Sequence, residues 1–329
     1  MKITIPWLKN KKATTGRVAV AMGPDGLRVV NINAAGAVDF CCSYPQAGEA
    51  EQILRGLVDE HDWQDKPCSL VLHPLYYQLT LAESPEVQAG EMAEAVRWRL
   101  KDLVDYPLSD AAVDYFSLPK DAYRGRKSML YVAVMRKNSL QSLVQPIEAA
   151  GLALDCIEVS ELALHNLSAA LPEVRGGTAI LHLLEGEGFI NLIEDGQIYL
   201  SRKMDIGYSS FAGEGDHLQQ FEALLLEIQR SLDFYESQLG KGIISNLFYS
   251  PAISATADLG DFLSMQLGVN VAPLNVSALV QSDLPAAELA LAVTALGAAT
   301  GPGKQASSQP NNQSGNQSNH AKGAVNAAH

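Results

Sequence analysis

The chain has 329 residues, enough for two domains with a core each, and its 47% hydrophobic share and mean hydropathy of +0.01 are those of a globular protein. A net charge of −13 argues against nucleic acid as a partner, because phosphate binding draws on Lys and Arg. No apolar run approaches the roughly 18 residues of a membrane span. Residues 1–12 carry charge at both ends without an apolar core, so no signal peptide is expected.

Residues 1–16 form a basic segment, with Lys2, Lys9, Lys11 and Lys12 beside Ile3, Ile5 and Trp7 and no acid among them. A solvated terminus and a contact with anionic lipid both stay open there. Short strands are predicted at 17–22, 27–32 and 37–41, joined by the turn Gly23-Pro24-Asp25-Gly26 and by 33–36. Helical spacing at Ile53, Leu57 and Val58 predicts a helix over 47–61, and 68–72 reads as a strand. The run YYQLTL over 76–81 is a further strand candidate.

The stretch 89–118 opens with Met92, Val96, Leu100, Leu103 and Val104 on one helical face. That helix is expected to stop near Asp105, because Pro107 disfavours helical geometry at Tyr106. Val113, Tyr115, Phe116 and Leu118 then read as a returning strand. Trp98 points away from the apolar stripe, either to pack against a second layer of the fold or to anchor a partner. A strand at 129–134, a helix at 140–150 and a strand at 151–159 follow, and 162–171 leads onward to a linker with Pro172, Gly176 and Gly177.

Beyond the linker the opening order returns: strands at 178–183, 189–193 and 198–201, a long helix, and a strand at 246–249. Leu218, Phe221, Leu225, Ile228, Leu232, Tyr235 and Leu239 form the stripe of that helix, which Gly240 and Gly242 end. Helices at 258–267 and 286–300 complete the pattern. Two copies of strand–strand–strand–helix–strand predict two related α/β domains facing each other across a cleft, at 17–170 and 171–300. A third unit, about 74–155, is inserted into the first. Residues 301–329 hold Gly, Ser, Asn, Gln and Ala without an aromatic or acidic residue and are expected to be disordered.

Little catalytic chemistry is legible. There is no GxSxG, no GxxxxGK[ST], no HExxH and no metal-ligand spacing. Cys41, Cys42, Cys68 and Cys156 lack a CxxC pair and read as buried thiols in a reducing compartment. His61, His73, His165, His182 and His217 are scattered and read as structural.

Three segments carry a family resemblance: EMAEAVRWRLKDLVDYPLSDAAVDYF in the inserted unit, AAGL at 149–152, and EIQRSLDFY at 227–235. Together with the duplicated meander they resemble the PilM family of type IV pilus assembly, over about residues 17–300. The resemblance implies an actin-like ATPase fold, shared with the cell-division protein FtsA: two duplicated RNase H-like α/β domains with an inserted α/β subdomain in the first. In that fold ATP is held by two glycine-bearing turns, and acidic residues place Mg²⁺.

Here Gly23, Asp25 and Gly26 are what the resemblance leaves of a nucleotide site, and a hairpin turn accounts for Asp25 and Gly26. The metal-placing acids fall on Ala21 and His182, a turn glycine on Leu184, and a double-glycine turn on Ser250-Pro251-Ala252. The resemblance therefore implies a catalytically silent scaffold, with no cofactor, on the cytoplasmic face of the inner membrane. It would hold the N-terminal peptide of a PilN-type membrane protein in a groove of the first domain and its insert. Tyr76, Tyr77 and Trp98 are the aromatic groups to line that groove, with 69–72 and 76–81 as edge strands. The alternative is an active ATPase that binds ATP and Mg²⁺ through the degenerate turns.

Overall fold

The computed structural model describes residues 16–45, 48–88, 90–101, 103–123, 128–171, 176–213 and 215–301. The basic segment before Gly16, Pro172 in the linker and the tail beyond Gly301 lie outside the described residues.

Three strands open the fold as an antiparallel meander: β1 (Arg17–Gly23), β2 (Gly26–Ile32) and β3 (Val38–Tyr44). Helix α1 (Ala50–His61) crosses over to β4 (Pro67–Leu72), which runs parallel to β1 with Val18 opposite Cys68. All six positions of β4 are buried, the mark of a central strand covered on both faces. The segment 69–72 is therefore interior to its sheet and offers no edge to a peptide.

The inserted unit comprises β5 (Gln78–Glu83), α2 (Met92–Arg99), β6 (Ala111–Ser117) and β7 (Met129–Arg136), its sheet ordered β5-β7-β6. Strand β7 alternates between two cores. Leu130, Val132 and Val134 join Val96 and Leu100 in a small separate core, while Met129, Tyr131, Ala133 and Met135 face the main one. β5 is an edge of this sheet, the position expected of the 76–81 run.

Helix α2 ends at Arg99 instead of near Asp105. Its last turn tightens to bonds from Leu100 to Arg97 and from Leu103 to Leu100, while the Arg97 guanidinium donates to the carbonyls of Leu108 and Ala111. Leu103 thus leaves the apolar stripe and is 47% exposed. Helix α3 (Lys137–Ala149) packs on α1, and β8 (Ala153–Val159) returns to the first sheet, ordered β3-β2-β1-β4-β8.

Helix α4 (Ser160–Ser168) touches strands of both sheets. The second sheet then repeats the first. β9 (Gly177–Leu183), β10 (Gly188–Glu194) and β11 (Gln197–Met204) form a meander, α5 (Leu218–Ser237) crosses over, and β12 (Ile244–Ser250) pairs parallel to β9. With α6 (Leu259–Gln266) and β13 (Asn270–Pro273) the order is β11-β10-β9-β12-β13. On α5, Phe221, Ile228, Leu232 and Tyr235 are buried as the spacing predicts. Leu224 takes the deep place expected of Leu225, and Leu218 is exposed at the helix start.

The predicted helix 286–300 is two helices, α7 (Ala286–Ala290) and α8 (Val293–Thr300). Although it follows the second unit in sequence, α8 lies against α4 and against β1, β2 and β4 of the first sheet. Gly297 permits this contact, since a Cβ there would stand 1.8 Å from the Ala163 carbonyl oxygen. Of the cysteines, Cys41, Cys68 and Cys156 are buried free thiols and Cys42 is half-buried.

Candidate functional site

Two hairpin turns, one from each sheet, meet across the cleft. In the first, Gly23 and Gly26 are cross-strand partners, so Pro24 and Asp25 form a two-residue turn. Gly26 has φ +118°, and a Cβ there would stand 2.1 Å from the Tyr44 carbonyl oxygen; its need is local and structural. In the second, the Leu184 amide donates to the Glu187 carbonyl at 2.7 Å, closing the loop between β9 and β10.

His73 sits beneath both turns, at the end of β4, where its side chain caps a short 3-10 turn, Pro74–Tyr76. Its Nε2 is 3.8 Å from Asp25 Oδ1 and its Nδ1 is 3.5 Å from Glu187 Oε1. The three side chains are 7%, 4% and 8% exposed, in the order His73, Asp25, Glu187. Asp25 is paired with Arg28 at 2.9 Å, and Glu187 is paired with Lys203. The Leu75 amide donates to His73 Nδ1 at 3.2 Å, so the neutral ring carries its proton on Nε2. Burial pushes the His73 imidazole below its ordinary value, against the opposing pull of Asp25 and Glu187. His182, behind it, is pushed down to about 3 by burial and lies 3.2 Å from Ser250 Oγ.

Behind the turns is a cavity of about 30 Å³ lined by Ala21, Gly23, His182, Leu184, Pro251 and Thr294. Outside it, a mouth of about 390 Å³ opens between Pro24, Leu75, Glu185 and Ser209. The residues present do not fit a nucleotide's phosphates. Side chains crowd Gly23, since a Cβ there would meet Asp25 Oδ1 and His73 Cδ2, each at 2.5 Å. The mouth presents the carboxylates of Asp25, Glu185 and Glu187, and Arg28 and Lys203 are already paired. The inner cavity falls far below the roughly 300 Å³ of a small-molecule pocket. Among the described residues no set of three or more His, Cys, Asp or Glu is placed to hold a metal ion.

The three aromatic candidates part company. Trp98 is 62% exposed on the outer face of α2, which overturns the reading that it packs against a second layer. Tyr76 is half-buried in the turn beside His73, with ring centres 6.2 Å apart. Tyr77 is core instead of groove: its hydroxyl donates to the Glu161 carboxylate and accepts from the Ser160 amide at 3.1 Å. Burial pushes Glu161 up to about 7, with the Tyr77 hydrogen bond pulling the other way. Sequence reading missed His73, Glu187 and Glu161. The two histidines at strand ends, His73 and His182, were the available signal, but only the fold places both at one cleft.

No protein-family model matches the sequence, and no curated protein matches it. Solved structures do match. One is a PilM–PilN type IV pilus biogenesis complex, at TM-score 0.71 and 19% identity, covering 87% of this chain and 98% of that one. Another is a Bacteroides thetaiotaomicron protein with actin-like ATPase fold, at TM-score 0.51 and 12% identity, covering 85% and 96%. At such identities the likeness is one of fold. The chain has the two-domain actin-like fold, with the β5-β7-β6 unit inserted in the first domain.

Proposed function

We propose that the chain is a scaffold of a type IV pilus assembly platform at the cytoplasmic face of the inner membrane, where it binds the cytoplasmic tail of a PilN-type membrane protein. The observation that carries this reading is the likeness to the PilM–PilN complex, which extends over 98% of the matched chain. The resemblance of the inserted unit and long helix to the MSHA (mannose-sensitive haemagglutinin) pilus biogenesis protein MshI supports the narrower assignment to that pilus type. Among the described residues no helix is long and apolar enough to cross a membrane, so membrane attachment is proposed to run through the partner. The nucleotide site is proposed to be degenerate, on the crowded Gly23 and the carboxylate-lined mouth.

Trp98 and Tyr76, with the edge strand β5, are the proposed partner surface. The test is binding of a synthetic peptide of the partner's N-terminal tail to the wild type and to Trp98→Ala. An aromatic anchor costs about 2 kcal/mol on truncation, roughly a 30-fold loss of affinity. Because Trp98 touches solvent, its melting temperature should stay at the wild-type value. Normal binding by the variant removes Trp98 from the surface, and a wild type that binds no tail peptide overturns the scaffold reading.

A further inference from the structure

The two turns face each other with more acceptors than donors. Asp25 uses one carboxylate oxygen on Arg28, and Glu187 uses one on Lys203. The other oxygen of each, Asp25 Oδ1 and Glu187 Oε1, is buried with no hydrogen-bond donor among the described residues. The His73 ring stands between them and satisfies neither. Its Nδ1 already accepts the Leu75 amide hydrogen, and its Nε2, 3.8 Å from Asp25 Oδ1, is beyond hydrogen-bond length. Buried acceptors without donors are uncommon, and two of them on opposite walls of one opening point to a donor that arrives from outside. Glu185 adds a third carboxylate to the mouth, and none of its lining residues is Lys or Arg.

The geometry selects among donors. A metal ion needs ligands that converge, and among the described residues no set of three His, Cys, Asp or Glu does so. An ammonium nitrogen is likewise a single point, whereas the two oxygens face different nitrogens of the His73 ring. A guanidinium is flat, like the ring, and carries N–H donors on each edge. We propose that the cleft mouth is a receptor for an arginine side chain of a bound peptide, its guanidinium taking the place of the His73 ring between Asp25 Oδ1 and Glu187 Oε1. Pro24 and Leu75, the latter 59% exposed at the lip, offer apolar surface to the stem of that arginine. Both oxygens are shut off from solvent while the ring is in place, so entry requires His73 to turn aside. Burial keeps the imidazole neutral, so the displaced ring does not repel the incoming cation. The proposal goes beyond the scaffold reading and does not depend on the Trp98 surface.

The test is calorimetric titration of the full chain at pH 7.5 with N-acetylarginine amide, beside N-acetyllysine amide and the neutral isostere N-acetylcitrulline amide, with amide hydrogen exchange to locate the ligand. The arginine amide is expected to bind and to slow exchange in both turns, 21–27 and 183–189. The lysine amide should bind about tenfold more weakly, and the citrulline amide not at all. Asp25→Asn and Glu187→Gln keep the shape of each side chain, and each should lose about tenfold in affinity. His73→Ala, which clears the space between the oxygens, should bind more tightly than the wild type. Citrulline binding as tight as arginine, protection of one turn alone, undiminished affinity in both carboxylate variants, or weaker binding by His73→Ala would each overturn the site. So would a wild type that takes no arginine, the result expected if a protonated His73 itself bridges the two oxygens. Methylguanidine binding as tightly as the arginine amide would overturn the assignment to a peptide side chain. No partner tail enters these measurements, so their failure leaves the pilus reading to its own test.

Discussion

At the scale of the residue, Glu161 is the sharpest case of burial setting chemistry. It lies in the core at the start of α4, with the Tyr77 hydroxyl as its donor, and its carboxyl titrates near 7 instead of 4.5. The folded state then binds a proton that the unfolded state has released between those two values. Stability from this group is full below about pH 4.5 and is lost as pH rises through 7. Glu161→Gln keeps an oxygen for Tyr77 and cannot ionise. The difference in unfolding free energy between variant and wild type should move in the variant's favour by roughly 3 kcal/mol from pH 4.5 to 8. Urea unfolding at the two pH values reads it, and parallel behaviour of the two proteins would refute it. Neither Glu161 nor the His73 pair was legible beforehand, because each depends on partners far away in the chain. Trp98 was legible as out of register with its stripe, a local property.

At the scale of the element, legibility followed pattern strength. The strands of the two meanders are short, mostly apolar runs buried on both faces, and they end in strong turns, such as Asp195-Gly196, whose φ values of +51° and +67° suit a tight hairpin. The α5 stripe repeats often enough that a single displaced position, Leu224 for Leu225, does not obscure it. The last helices were harder. Residues Val293 through Ala299 are buried without interruption, so no polar face reports which way α8 turns or what it packs on. That packing yields a prediction. In Gly297→Ala the new methyl would stand 1.8 Å from the Ala163 carbonyl oxygen, and that atom belongs to the backbone of α4. Overpacking of this kind costs about 1–3 kcal/mol, more than the helical preference of Ala over Gly returns. The urea midpoint should fall with the slope unchanged; an equal or higher midpoint would mean that α4 and α8 separate freely.

At the scale of the whole molecule, the chain joins its own halves at several points. The Tyr131 hydroxyl of the inserted unit donates to the Ser201 carbonyl at 2.9 Å and accepts from its amide at 3.0 Å. Lys241 lies 4.1 Å above the Tyr199 ring and pairs with Asp121 and with Glu194, again tying the insert to the second sheet. Asn191 of β10 donates to the Glu161 carbonyl at 2.8 Å, and α8 returns from the second sheet to the first. A protein that relies on nucleotide to hold its halves together gains stability from that ligand, whereas here side chains supply the ties. MgATP at 1 mM should therefore add less than about 0.4 kcal/mol to stability, the limit for a dissociation constant in the millimolar range. A micromolar site would add about 4 kcal/mol at the same concentration, an unmistakable rise in melting temperature. That rise, joined by heat in a calorimetric titration, would restore the ATPase alternative while leaving the partner surface at Trp98 to be judged by its own experiment.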